Sequence, residues 1–459
     1  MTNAQRAVVS FAVMAVLLAI VGFAQSWSLM LTILNLCLIS SVMALGMNIQ
    51  WGYAGLFNVG TMGFAALGGV AAVLVSKAPV MDAWAAGGWN LFVAAVLLGL
   101  TIAAAIVAHR RIPKGPRRAL ALTAIILVGI LATRYFSDPA IADIEDVNPA
   151  VTGYLGGLGL PILFSWIGGG LLAAGGAWII GKIALGLRSD YLAIATLGIS
   201  EIIIAIVKNE DWLTRGVKNV TGLPRPVPYE VALQKSDWFI GLTEWLHSGA
   251  LQGLPAGDRG ELLSALVITN SGIFVKLAYA GLFTAVLVII LTMSILALNS
   301  PWGRMMRAIR DNEVSAAAMG KYVTGRHLQV FVIGSAVVGI AGAMLTTLDG
   351  QLTPGSYNPL RFTFLIWVMV IVGGSGNNLG SVLGAFLVWF IWVEAEPVGV
   401  GLIDFLTGWL GDTSPVRLQL MDSAQHMRLI MMGLFLLLVM RFNPGGILPE
   451  VTKLGKRKR

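Results

Sequence analysis

Residues 363–393 read TFLIWVMVIVGGSGNNLGSVLGAFLVWFIWV. Two strongly apolar stretches flank a polar, glycine-rich centre, Gly373-Gly374-Ser375-Gly376-Asn377-Asn378-Leu379-Gly380. Each half, roughly 10 to 14 residues, falls short of the roughly 20 needed to cross a hydrocarbon core about 30 Å thick. Backbone freed from helical hydrogen bonding at membrane depth is tolerated only where protein buries it or it lines a water-filled cavity. This run therefore predicts a broken or re-entrant helix pair inside a larger bundle.

The rest of the chain supplies that bundle. Of its 459 residues, 57% are hydrophobic and 12% charged, and the mean hydropathy is +0.81. A soluble domain carries about 25% charge, so the chain is read as an all-α polytopic membrane protein. Further apolar runs cover about 7–24, 28–49, 53–75, 90–109, 119–136, 161–187, 191–207, 271–298, 327–347 and 427–440. Lys and Arg collect in three places: five in residues 109–118 without an acid, five in 300–326 and six in 441–459. Basic connections mark the cytoplasmic side, which also explains a net charge of +8 without invoking nucleic acid. With both termini inside, parity fails if 363–393 is one span and holds if it enters and returns to the outer face. The expected count is thus about 10–12 membrane segments. Acidic residues 138–146 and 394–426 then lie outside, as does the large polar segment 208–270 with Trp212, Trp238 and Trp245.

Several chemistries are disfavoured. Cys37 is the single cysteine, which argues against disulfide or redox chemistry. His109, His247, His327 and His426 are scattered and form no ligand set, so no metal is expected. Neither a nucleophile elbow nor a phosphate-binding Gly-Lys-Ser/Thr loop is present, so the chain is not expected to be an enzyme.

A second glycine cluster, Gly52-Tyr53-Ala54-Gly55-Leu56-Phe57-Asn58-Val59-Gly60, opens the 53–75 run. Paired Gly-interrupted segments in two halves suit an internally repeated transporter, and close helix packing is the plainer alternative. Asn58, Gly373, Gly374, Gly376 and Asn377 are accordingly candidate translocation-pathway residues. Glu201 joins them: it lies about 16 Å along its helix from Asp190, near mid-membrane, where an ionisable group marks a pathway or a partner. Ordinary helix packing is its alternative role.

Residues 300–320, SPWGRMMRAIRDNEVSAAAMG, read as one short cytoplasmic helix from Pro301 to Gly320. Arg304, Arg307 and Arg310 recur every third residue and are read as sharing a face, either on anionic lipid or against a cytoplasmic partner.

Here the sequence resembles the M-type permease subunit of branched-chain amino acid ABC importers. The resemblance rests on Gly303–Gly320, on LGMNIQWGYAGLFNVGTMGFAALGG (Leu45 to Gly69), on LRSDYLAIATLGISEII (Leu187 to Ile203), on the run from Phe331 through IAGAM to VGGSGNNLGSVLGA, ending at Ala385, and on RFNPGGIL (Arg441 to Leu448). Thr61 and Thr221-Gly222-Leu223 depart from the family pattern. The resemblance implies a fold similar to type II ABC importer permeases in a bacterial inner membrane. It also implies a second homologous permease subunit, two cytoplasmic ATPases that would hold ATP and its Mg ion, this chain binding no cofactor itself, and a periplasmic substrate-binding protein. On that reading Arg304, Arg307, Arg310, Glu313, Ala317 and Gly320 form the ATPase-coupling helix. The substrate would be a branched-chain or related neutral amino acid, with urea or amides, or an ion-coupled secondary transporter, as alternatives. The organisation expected is 1–75 N-terminal spans, 76–160 an inserted hairpin with its outer loop, 161–207 core helices, 208–270 a periplasmic loop, 271–441 core helices, and 442–459 a basic tail.

Overall fold

The computed structural model describes residues 3–149, 151–187, 189–252, 254–410, 414–423 and 426–450. Arg188, Asp412 and the basic residues beyond Glu450 in the tail lie outside them. In chain order the helices that matter are α1 (Asn3–Ala24), α2 (Trp27–Ala54), α3 (Thr61–Ser76), α4 (Trp89–Arg111), α5 (Pro116–Asp146), α6 (Leu163–Ala184), α7 (Ser189–Asn209) and α8 (Ala256–Asn299). They continue as α9 (Pro301–Asp311), α10 (Glu313–Ala318), α11 (Val323–Asp349), α12 (Pro359–Gly373), α13 (Asn378–Thr407), α14 (Pro415–Ser423) and α15 (Met427–Phe442). Nine helices among the described residues are long and apolar enough to cross a membrane; α3 and α12 are shorter apolar helices, and α15 follows α14 through a 60° bend. With α15 the apolar helices among the described residues number twelve, within the expected 10–12.

Helix ends follow local chemistry. Ser26 accepts a hydrogen bond from the Leu29 N–H at the start of α2, and Gly55, at φ +70°, ends it in the left-handed conformation that a side chain disfavours. Helices α2, α3, α6 and α11 pack together as the centre of the bundle, with α12 and α13 against α2. Small residues set their spacing: a Cβ on Gly68 of α3 would lie 1.9 Å from the Gly339 carbonyl oxygen of α11. That approach brings the backbones into contact and favours van der Waals packing in a medium without a hydrophobic driving force between helices. On one face of the bundle, Val220–Thr221 pairs antiparallel with Gln351–Leu352, and Lys77 Nζ donates to the Thr221 carbonyl at 2.9 Å. Helices α9 and α10 lie on the opposite face.

Three sequence expectations need correction. The two halves of 363–393 are not both short: α12 has 15 residues, but α13 runs for 30 and takes in Glu394 and Glu396, which had been read as loop. Both find partners elsewhere in the chain, since Glu394 accepts from Gln25 Nε2, in the turn after α1, at 2.7 Å and Glu396 pairs with Arg428 of α15. The polar segment expected over 208–270 ends at 255, because α8 is 44 residues long and its exposed first turns carry Asp258, Arg259 and Glu261. Finally, 300–320 is two helices, since the Asn312 side chain accepts from the Ser315 N–H and starts α10 afresh.

Candidate functional site at the two backbone breaks

Each glycine cluster contains a non-helical stretch, 55–60 in the first and 374–377 in the second, and both lie within the packed bundle. At the first, residues 55–60 join α2 to α3. The buried Asn58 donates to Gln50 Oε1 at 2.7 Å, and its own Oδ1 accepts from the Gly60 N–H at 2.8 Å. Gln50 in turn donates to Phe331 O and Ser335 Oγ of α11, while Trp367 of α12 donates to the Asn58 carbonyl. Thr196 of α7 accepts from the Val59 N–H. Freed backbone groups at this depth thus find partners from α7 and α12, and the Asn58 side chain is tied through Gln50 to α11, as polar groups removed from water require.

The second break, residues 374–377, turns α12 back into α13 as an antiparallel hairpin. Gly374 and Gly376 have φ of +117° and +79°, and Asn377 caps α13 by accepting from Leu379 N–H and Gly380 N–H. The last carbonyls of α12 are satisfied by the segment after α15: Ile447 N–H donates to Val372 O and Leu448 N–H to Gly373 O, both at 2.9 Å. Asn48 of α2 accepts from the Gly376 N–H at 2.9 Å and donates to Asn378 Oδ1 at 3.0 Å. Gly373, Gly374 and Gly376 are buried, and Asn377 is half-buried.

The α9–α10 pair meets both breaks through one side chain. Arg310 donates to the Gly52 carbonyl near the end of α2 and lies 3.0 Å from a Glu450 carboxylate oxygen. Glu450 is itself packed against Gly376, where an added Cβ would lie 2.9 Å from the carboxylate. Burial opposes the Arg310 charge, but hydrogen bonds and attraction from Glu450 and Asp311 outweigh it and hold the guanidinium above its ordinary value. The expected shared face of Arg304, Arg307 and Arg310 is therefore corrected. Steps of three residues each fall about 60° short of a full turn, so the three side chains fan apart. Arg304 is exposed, Arg307 is half-buried and donates to Leu298 O, and Arg310 points inward. The exposed tip is instead formed by Glu313, Val314, Ala317, Met319, Gly320 and Tyr322, with Val314 and Met319 each 80% exposed. Sequence reading missed Gln50, Asn48 and Glu450. An amide inside an apolar run was the available signal for the first two.

Glu201 stands apart from both breaks. It is exposed on a stripe of α7 that also carries Tyr191, Ile194, Gly198, Ile202 and Ala205. A separate apolar chamber of about 200 Å³, lined by residues including Leu36, Ile39, Met43, Met62 and Phe362, has Asp349 and Ser356 among its walls. No group of His, Cys, Asp and Glu that could hold a metal ion occurs among the described residues.

The chain matches the family model described as "Branched-chain amino acid transport system / permease component" over residues 29–149 and 149–440. It is similar to the high-affinity branched-chain amino acid transport system permease protein LivM of Salmonella typhimurium, at 25% identity over 61% of this chain and 56% of that protein. LivM of Escherichia coli is 26% identical over the same shares. The xylose transport system permease protein XylH of Escherichia coli is 25% identical over 77% of this chain and 72% of its own length. The chain thus spans 56% of the length of the LivM proteins it matches. No solved structure matches.

Proposed function

The chain belongs to the family of branched-chain amino acid transport permease components, and from that premise we propose that it is the membrane subunit of an ATP-driven importer working by alternating access. The observation that carries this reading is Arg310. It ties an exposed amphipathic helix pair to the end of α2 and, through Glu450, to the 374–377 break, so a push on the pair reaches both halves of the bundle. The partner that pushes is a cytoplasmic ATPase docked on the tip formed by Glu313, Val314, Ala317, Met319 and Gly320, where bulky apolar groups stand exposed.

A second permease subunit accounts for Glu201. An ionisable side chain at mid-span avoids hydrocarbon by facing a bundle interior or a water-filled cavity, yet on this chain it is exposed. Another permease laid against the α7 stripe, with a pathway between the two, supplies that interior. A binding protein then docks on the opposite face, around residues 210–255. For substrate we favour a neutral branched-chain amino acid. The mostly apolar walls of the chamber that Asp349 helps to line suit an apolar side chain, whereas a sugar, the cargo in the name of XylH, calls for a ring of hydrogen-bond partners.

The test is uptake into proteoliposomes holding this chain with its copurified partners. ATP-dependent, ionophore-insensitive uptake of labelled leucine that xylose and urea leave unchanged is expected. Uptake that collapses with the ion gradient overturns the ATP-driven reading. Competition by xylose or urea overturns the substrate while leaving the coupling intact.

A further inference from the structure

The α4–α5 hairpin makes its contacts mainly with itself. Among the described residues of α4 only Ala94 and Ala108 are buried, and of α5 only Ala140 and Ile144. Its attachment to the bundle lies at the far end from the basic turn, where Ala83, Ile144 and Leu155 cluster beside Trp212. Between the helices runs an open groove of about 550 Å³, with Leu98, Ile102 and Ile106 on α4 and Leu122, Ile126 and Ile130 on α5. These positions recur every four residues, so each helix contributes one stripe. From Leu98 to His109 the groove extends roughly 16 Å. It ends at His109 and Arg110.

Directly beyond that end lie Arg110, Arg111, Lys114, Arg117 and Arg118, with no acid in residues 109–118. The Arg118 guanidinium rests against the His109 ring. None of the ion pairs among the described residues involves these five side chains, and all but the half-buried Arg118 are exposed. An apolar channel that opens onto an unneutralised cluster of positive charge has the amphiphilic pattern of a lipid with an anionic headgroup.

We propose that this hairpin binds an anionic phospholipid of the surrounding bilayer, one acyl chain lying in the groove and the phosphate held by Arg110, Arg117 and Arg118. The bilayer is the source because the hairpin stands off the bundle. A basic turn, by the bias of Lys and Arg, faces the cytoplasmic leaflet, where anionic lipids supply a negative surface. The proposal needs only membrane embedding and does not depend on ATP-driven import.

The test uses the full-length chain, purified and stripped of lipid, titrated in native mass spectrometry with dioleoylphosphatidylglycerol and dioleoylphosphatidylcholine. The glycerol lipid is expected to bind at least tenfold more tightly. The triple variant Arg110→Gln, Arg117→Gln, Arg118→Gln should erase that preference, and these side chains are exposed or half-buried, so thermal unfolding should stay unchanged. Ala105 also lines the groove, and Ala105→Trp, which fills it and leaves every charge in place, should weaken phosphatidylglycerol binding at least fivefold. Equal binding of the two lipids overturns the proposal, as does an Ala105→Trp variant that binds normally or displacement of the lipid by millimolar inorganic phosphate. So does crosslinking from cysteines placed at Ile102 and Ile126 that captures a protein subunit instead of lipid.

Discussion

Helices α2 and α11 and the α4–α5 hairpin are equally apolar and have opposite surroundings. Their most apolar stretches have mean hydropathies of 2.1 and 2.1 in the first pair and 2.7 and 2.0 in the hairpin, yet 72% and 61% of the former are buried against 11% and 6% of the latter. Hydropathy reports that a segment leaves water, and it is blind to whether lipid or protein receives it. The difference lies in the rarer residues. Helix α2 buries Asn35, Ser40, Ser41, Asn48 and Gln50, each polar group needing a protein partner that lipid cannot supply. Glycines separate the regions in the same way: Gly68 touches the α11 backbone, while Gly99 on α4 has open space around it.

The strongest way to break this contrast is to enlarge those two glycines. Gly68→Leu drives a side chain into the Gly339 carbonyl and is expected to cost about 3 kcal/mol, the upper range of overpacking. Gly99→Leu should stay within about 0.5 kcal/mol, as for substitutions away from packed contacts. Thermal unfolding of the two purified variants decides it, and similar losses would erase the distinction between regions.

Next comes the link from α9 into the core. Arg310→Ala strands a carboxylate that is 19% exposed in its side chain, and uptake should fall about tenfold, equivalent to about 1.4 kcal/mol, with the ATPase still copurifying. Glu450→Gln should mimic it, and the double variant should be no worse than either single one, as for groups in one network. Additive losses would show that the two side chains act separately.

A smaller effect is expected inside the second break. Asn48→Leu removes the partner of the Gly376 N–H and should destabilise by about 1 kcal/mol. Hydrogen exchange at residues 374–380 should rise selectively, and unchanged exchange there would show that Asn48 does not hold the turn. The smallest effect belongs to the hairpin as a whole. The Val80 N–H donates to the Leu155 carbonyl at 3.0 Å, so the hairpin's two roots lie side by side. Replacing residues 84–147 with a short Gly-Ser linker should leave the unfolding temperature of the core almost unchanged, and collapse of the core would show that the hairpin is structural.

Much of the fold was legible from residue pattern. The glycine clusters at 52–60 and 373–380 mark real interruptions, because a helix that loses its backbone bonds in a membrane needs residues that tolerate left-handed turns. Gly55, Gly374 and Gly376 adopt them. The acids at 394–396 misled because acids in a loop and acids paired by Gln25 and Arg428 read alike along the chain. Residues 300–320 misled for a different reason. Periodicity placed its arginines, but which of them turned inward depended on Glu450, a residue 140 positions away.

The sequence by itself determined the class of molecule, a range for the number of apolar segments, the location of both breaks and, through the bias of Lys and Arg, the sidedness to be expected. These follow from transfer of side chains and backbone out of water, which is a local property of each segment. Only the tertiary structure decided that the end of α2 is tied to the second break through Asn48 and to the α9–α10 pair through Arg310, that Glu201 is exposed on the α7 stripe, and that the 81–146 hairpin stands apart with its groove open. These depend on which helix lies beside which, and in a bilayer that choice is made by close backbone approach and by the pairing of a few polar groups, which apolar periodicity does not encode.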